Sequence, residues 1–213
     1  MKTLVRGMVA LVAGIGLLSG CGASEEPAGE STAAPAKATA PTEVTIKAPD
    51  ETTDVALQLV RPSGWEVNPD YGTLVYEPPN RDDYVDTPNI EIRAAVEGEV
   101  SAAAVPVNIA RLIGAAKEGW KKIQTGNEAL DAQNANVEVV EESADDGDWL
   151  LILKVTYPEG VSEAMYPPRY WIYRYLHRAD EPFFVCIKGG VTLRYADQFL
   201  PAVTEACRSA KRM

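Results

Sequence analysis

The chain has 213 residues, of which 31 are acidic and 20 basic, for a net charge of −11. That balance argues against nucleic acid as a partner, because phosphate binding needs a basic surface, and against direct docking on anionic lipid headgroups. Hydrophobic residues make up 46% of the chain, too many for a wholly disordered protein and enough for one domain with a proper core.

The first element is a leader. Met1–Arg6 carries Lys2 and Arg6 and no acid, and the apolar run Met8–Leu18 follows. About eleven residues span only ~16 Å as a helix, short of a bilayer core of roughly 30 Å, so the run fits a secretory signal rather than a membrane span. It closes on Leu18-Ser19-Gly20-Cys21. These four residues resemble the lipobox of bacterial lipoproteins. The resemblance implies a diacylglyceryl group on the Cys21 thiol, cleavage between Gly20 and Cys21, and acyl chains of the palmitate kind in the membrane; two or more chains make a stable anchor. Gly22 stands where enteric inner-membrane lipoproteins carry Asp. That departure implies an outer-membrane position facing the periplasm in a host with two membranes, and otherwise the outer face of the cell membrane.

Residues 22–42 hold nothing large and apolar. Such a segment cannot bury enough surface to offset its ordering entropy, and it is predicted to be a tether stiffened by Pro27, Pro35 and Pro41, with a reach on the order of 25 Å. The expected division is therefore a signal over 1–20, lipidated cysteine and tether over 21–42, and one domain over 43–213. With Cys21 taken by lipid, Cys186 and Cys207 remain as an even pair in an exported chain and are predicted to form a disulfide. A bridge closing a loop of that size would contribute roughly 3 kcal/mol.

The domain opens with strand-like runs over Glu43–Lys47 and Val55–Val60, then a turn marked by Pro62 and Gly64. Further strands are predicted over Thr73–Glu77 and Asn89–Val96, separated by a loop rich in proline and aspartate. Val105, Ile109, Leu112, Ile113, Ala116, Trp120 and Ile123 recur at three and four, the stripe of an amphipathic helix. Pro106 suits its first turn, while Gly114 and Gly119 weaken it by about 1 kcal/mol each, as though they served a close approach to a sheet. Val137–Glu142 and Trp149–Tyr157 read as a hairpin around the Asp-Gly pair 146–147, and Tyr170–Arg178 and Phe183–Lys188 as another. Tyr195–Lys211 reads as a last helix with Phe199, Val203, Ala206 and Ala210 along one stripe, Pro201 kinking it or opening its main segment. The order predicts an α+β fold: an antiparallel sheet packed with a central amphipathic helix and a C-terminal helix.

The Pro62-Ser63-Gly64-Trp65 turn, the 105–123 helix, the later meander and the helix ending Ala206-Cys207-Arg208-Ser209-Ala210-Lys211 together resemble the PsbP-like superfamily. That group includes an extrinsic photosystem II subunit, a nuclear-transport factor that binds a small GTPase, and many bacterial lipoproteins. The resemblance implies a three-layer α+β binding module without catalysis or cofactor. The region around Met165–Arg169 is longer and richer in proline than the family meander.

Few residues suggest chemistry. His177 is the only histidine, and no nucleophile elbow, zinc signature or phosphate-cradling loop is present. Glu141, Glu142, Asp145, Asp146 and Asp148 flank a turn, and Asp82, Asp83 and Asp86 share a loop; both groups could offer oxygens to a cation but lack an EF-hand spacing. Aromatics and arginines concentrate over 165–175, and since both are enriched at interface hot spots, Tyr166, Arg169, Trp171 and Tyr173 are the candidate partner-binding residues. The leading expectation is an envelope lipoprotein binding a protein partner. A small-ligand or cation-binding envelope protein is the alternative, and an enzyme comes third.

Overall fold

The computed structural model describes residues 38–68, 73–84, 86–97, 101–145 and 147–213. The leader, the lipobox with Cys21 and the tether up to residue 37 lie outside the described residues.

Strand β2 (Asp54–Pro62) alternates as a half-buried strand should, burying Val55, Leu57 and Leu59. Strand β1 (Ala38–Lys47) pairs antiparallel with it, Val44 opposite Leu57 and Pro41 opposite Val60. The strand thus begins five residues before the expected domain boundary at 43. Ala40 and Pro41 are exposed; Ala40 falls in the irregularity between the Ala38 and Pro41 pairs, and a proline is tolerated because β1 is an edge strand.

The larger sheet has seven strands. β3 (Glu66–Asn68), β4 (Leu74–Glu77) and β5 (Asn89–Ala95) form one antiparallel meander. Helix α1 (Val105–Gly119) and the single turn α2 (Glu128–Asp131) follow, and then β6 (Asn136–Asp145), β7 (Asp148–Thr156), β8 (Arg169–His177) and β9 (Phe184–Thr192) form a second meander. Strand β9 closes beside β5, giving the order β3-β4-β5-β9-β8-β7-β6 with β9 in the centre. The β6–β7 hairpin turns where the Asp-Gly pair predicted it: Asp145 faces Asp148, and Gly147 takes a φ of 88° that disfavours other residues.

Helix α3 (Ala196–Ser209) carries Pro201 within it and stops two residues earlier than expected. Ala210 turns extended, and β10 (Lys211–Arg212) adds to β2, making a three-stranded sheet β1-β2-β10. Ser209 marks the stop: its hydroxyl accepts the Val60 N–H at 2.8 Å. Arg212 then forms a two-pronged pair with Glu181 at 2.7 and 2.8 Å.

The two faces of the large sheet have separate cores. On one, Ile90, Ile92, Ile172, Leu176, Val185 and Ile187 meet α3 and the small sheet. The α3 stripe of Phe199, Val203, Ala206 and Ala210 is buried there as its spacing predicted. On the other face Leu151, Leu153, Trp171, Tyr173, Tyr175 and Phe184 meet Val105, Ile109 and Ile113 of α1. The fold is α+β, with antiparallel sheets and two main helices packed against them.

This alternation overturns the expected disulfide. Cys186 points into the α1 core and Cys207 into the α3 core, and both are free thiols. The sequence placed Cys207 on a helix over the strand that holds Cys186, but Ile187, one residue on, is the side chain that faces α3. The glycines of α1 also differ from expectation. A Cβ at Gly114 or Gly119 would meet nothing within 4 Å, so neither serves a close approach. The close approaches are on β9: a Cβ at Gly189 would lie 2.5 Å from Val203 Cγ1 of α3, and one at Gly190 would lie 2.9 Å from the Trp171 ring on the opposite face.

Alanine at Gly189 should therefore destabilise the fold by about 1–3 kcal/mol, because α3 would have to move, whereas Gly114→Ala should stabilise it by roughly 0.5–1 kcal/mol. Urea unfolding midpoints check both, and equal effects of the two substitutions would contradict the packing described.

Candidate functional site

Helix α1 rests on aromatic side chains. Trp120, just beyond its last turn, stacks on Trp171 with ring centroids 4.7 Å apart and donates its Nε1–H to the Tyr173 hydroxyl at 2.9 Å. Trp171 lies flat on Gly190, with the Arg169 guanidinium 4.7 Å and the Lys188 amine 4.3 Å from its ring. Arg169 also pairs with Asp86, tying the loop after β4 to the start of β8. Tyr166 clamps the segment after α1: its hydroxyl accepts the Gln124 N–H at 3.0 Å and donates to the Gln124 carbonyl at 2.6 Å.

The four candidate partner-binding residues are thus brought to one region, but not as a docking surface. Trp171 and Tyr173 are buried, and Tyr166 and Arg169 are occupied by the contacts just described. An aromatic-arginine strand is a hot spot only where one face is open; here α1 covers it. Met165, at 61% exposed, is the large apolar residue that the region presents to solvent.

Beside the aromatic prop is a crevice of about 350 Å³ between α1 and the sheet. Leu112, Ala115 and Ala116 of α1 form its wall, and Tyr173, Tyr175, Phe184, Cys186 and Lys188 its floor. Two cross-strand rows set this floor: Glu91, Lys188 and Tyr173 in one, and Arg93, Cys186 and Tyr175 in the next. Arg93 Nε lies 3.7 Å from Glu91, and Arg111 of α1 reaches Glu97 at 3.0 Å across the mouth. The volume sits at the lower end of the range for small-molecule sites, and the mix of apolar wall with few polar groups is typical of them.

Burial sets the charges of the lining. It pushes the Cys186 thiol up to about 12 and the Tyr173 phenol up to about 12, and it raises Tyr175 further. The Lys188 amine is lowered from the ordinary lysine value, chiefly by loss of solvent, with the neighbouring Glu91 opposing. At neutral pH the floor therefore offers neutral thiol and phenol groups.

Elsewhere the acidic clusters are used by the fold. Asp148 pairs with Arg174 at 2.8 Å, Glu141 with Arg208 and Glu142 with Lys117. Arg81 lies 3.7 Å from Asp82. Among the described residues, no group of three or more His, Cys, Asp or Glu could hold a metal ion. His177 Nδ1 lies 3.4 Å from the Phe183 carbonyl within the β8–β9 hairpin.

No family model matches the chain, and no curated protein matches it. Solved structures similar to it include LpqN of Mycobacterium tuberculosis, a protein involved in cell envelope biogenesis, at 12% identity over 82% of this chain and 92% of that one, with a TM-score of 0.49. The Ran-binding protein Mog1p of Saccharomyces cerevisiae is similar at 12% identity over 80% of this chain and 95% of that one, with a TM-score of 0.43.

Replacing Trp171 or Tyr173 by alanine should cost about 3–5 kcal/mol, the usual range for a deleted core aromatic. Near-ultraviolet circular dichroism and the unfolding midpoint read this, and variants with full stability would contradict the buried placement. Unreduced mass spectrometry of the protein should find Cys186 and Cys207 as thiols; a bridge between them would refute their separation onto opposite faces.

Proposed function

We propose that the chain is an envelope lipoprotein, anchored through Cys21, whose domain binds a small amphipathic ligand without transforming it. The crevice between α1 and strands β5, β9 and β8 is the observation that carries this reading. A protein partner was the leading expectation from sequence. It drew on Trp171 and Tyr173, which are interior, so the crevice is now the better-supported site.

The charge states favour binding over catalysis. A nucleophilic cysteine or a basic tyrosine works through a lowered pKa, whereas Cys186, Tyr173 and Tyr175 are all pushed the other way. Glu141, Glu142 and Asp148 are each paired with an arginine or a lysine, and among the described residues no three acidic groups gather to hold a cation. Acyl chains on Cys21 would keep the domain at the membrane, within reach of sparingly soluble envelope molecules.

Two measurements check the reading. Labelled palmitate should be incorporated into the wild-type protein and not into Cys21→Ser, which should also leave the membrane-lipid phase on detergent partitioning. A panel of short-chain acids, alcohols, amides and amines should contain compounds that raise the melting temperature of the wild-type protein; no shift with any of them would remove the binding reading.

A further inference from the structure

We infer that the crevice selects a small amphipathic monoanion, a carboxylate whose head lies between Lys188 and Tyr175 and whose apolar tail runs along α1. This deepens the binding reading above and rests on it. Three observations converge. The first is an amine without a counter-ion. Lys188 lines the crevice, and among the described residues no carboxylate comes within ion-pairing distance of it; it is held over the Trp171 ring at 4.3 Å. Its cross-strand neighbour Glu91 is turned toward Arg93 instead, at 3.7 Å. The half-buried amine thus has the Trp171 ring and the nearby charge of Glu91 for company but no ion pair, and can take up an added anion.

The second observation is an unused donor. Tyr175 lines the same crevice, and its hydroxyl, which makes no hydrogen bond to a described residue, is not among the buried unpartnered atoms and so faces the open space of the crevice. The neighbouring Tyr173 hydroxyl, by contrast, already accepts from Trp120. Tyr175 faces Cys186 across the β8–β9 pair, and Lys188 lies two residues further along β9. The two residues are therefore diagonal neighbours on one face, and the amine, which leans toward Trp171 in the unliganded protein, has to swing back along its flexible chain to meet a head group beside Tyr175. An ammonium and a phenolic O–H supply two donors and no charged acceptor, the complement of a carboxylate.

The third observation is the wall and the rim. Leu112, Ala115 and Ala116 offer an apolar surface to a tail, and the volume of about 350 Å³ limits its length. Glu91 beside Arg93 and Glu97 beside Arg111 also border the crevice and offset one another's charge, which leaves Lys188 as the cation without an ion pair there. One negative charge is matched by Lys188, and the second charge of a phosphate has no such match.

The test is isothermal titration of the full lipidated protein in nanodiscs, with empty nanodiscs as the blank and hexanoate, hexanamide and hexylamine as probes. Hexanoate should bind at least about tenfold more tightly than hexanamide, the factor expected for one hydrogen bond to a charged group. Hexylamine should bind most weakly. Lys188→Met should remove the preference for hexanoate while leaving hexanamide binding unchanged, which also shows that the crevice is intact; Lys188→Arg should restore it. Tyr175→Phe, which keeps the ring, should weaken hexanoate more than hexanamide. Equal binding of acid and amide, both indifferent to Lys188→Met, would overturn the anion inference and leave the binding reading standing. Binding by none of the probes would overturn both.

Discussion

The fold depends on one place, the consecutive glycines in the middle of the central strand. Successive residues of a strand face opposite sides, so Gly189 and Gly190 thin the sheet on both faces at once. On one side Val203 and Cys207 of α3 come down onto Gly189; on the other the Trp171 ring lies across Gly190. The first contact seats the helix that joins the large sheet to the small one. The second lays an indole flat, and that indole then stacks on Trp120 and carries the end of α1. A side chain at either glycine would force one layer outward. Interiors packed to crystal-like density transmit such a displacement rather than absorb it.

The crevice follows from that arrangement. A helix held up by indoles and tyrosines leaves space where the aromatics end, along Cys186 and Lys188 toward β5. Polar residues occupy alternate positions on the two strands that line it: Glu91 and Arg93 on β5, Cys186 and Lys188 on β9. The opposite faces of the same strands carry Ile90, Ile92, Val185 and Ile187, all fully apolar. Two neighbouring strands that are apolar on one side and mixed on the other belong to a sheet with one sealed face and one partly open face.

Much of this was legible in the sequence. The Asp-Gly hairpin and the Phe199 stripe were set by turn chemistry and periodicity, which are local, and both hold in the structure, whereas the helix expected over 105–123 ends at Gly119 and leaves Trp120 and Ile123 beyond its last turn. What failed needed knowledge of facing. Cys186 and Cys207 looked like a pair because both lie near the last strand and helix, but one residue of phase separates them by the thickness of the sheet. Trp171 and Tyr173 looked like an interface because composition does not say whether a helix covers a strand. The start of β1 was missed because Ala40 and Pro41 are exposed and leave no apolar alternation to read. The crevice left a readable trace in Glu91-Ile92-Arg93 and Cys186-Ile187-Lys188, where polar residues alternate with core residues on strands that the topology makes neighbours. The Gly-Gly of β9 was a second trace, since glycine inside a strand marks close approach.

A ligand that enters the space between α1 and the sheet must be expelled when that space is filled. Ala115 forms part of the crevice wall and is exposed, so a phenyl ring there would occupy the volume without displacing core residues. Titration of Ala115→Phe with hexanoate and hexanamide should show both lost, with the melting temperature of the unliganded protein close to that of the wild type. Undiminished binding of either compound to a folded Ala115→Phe protein would place the site elsewhere.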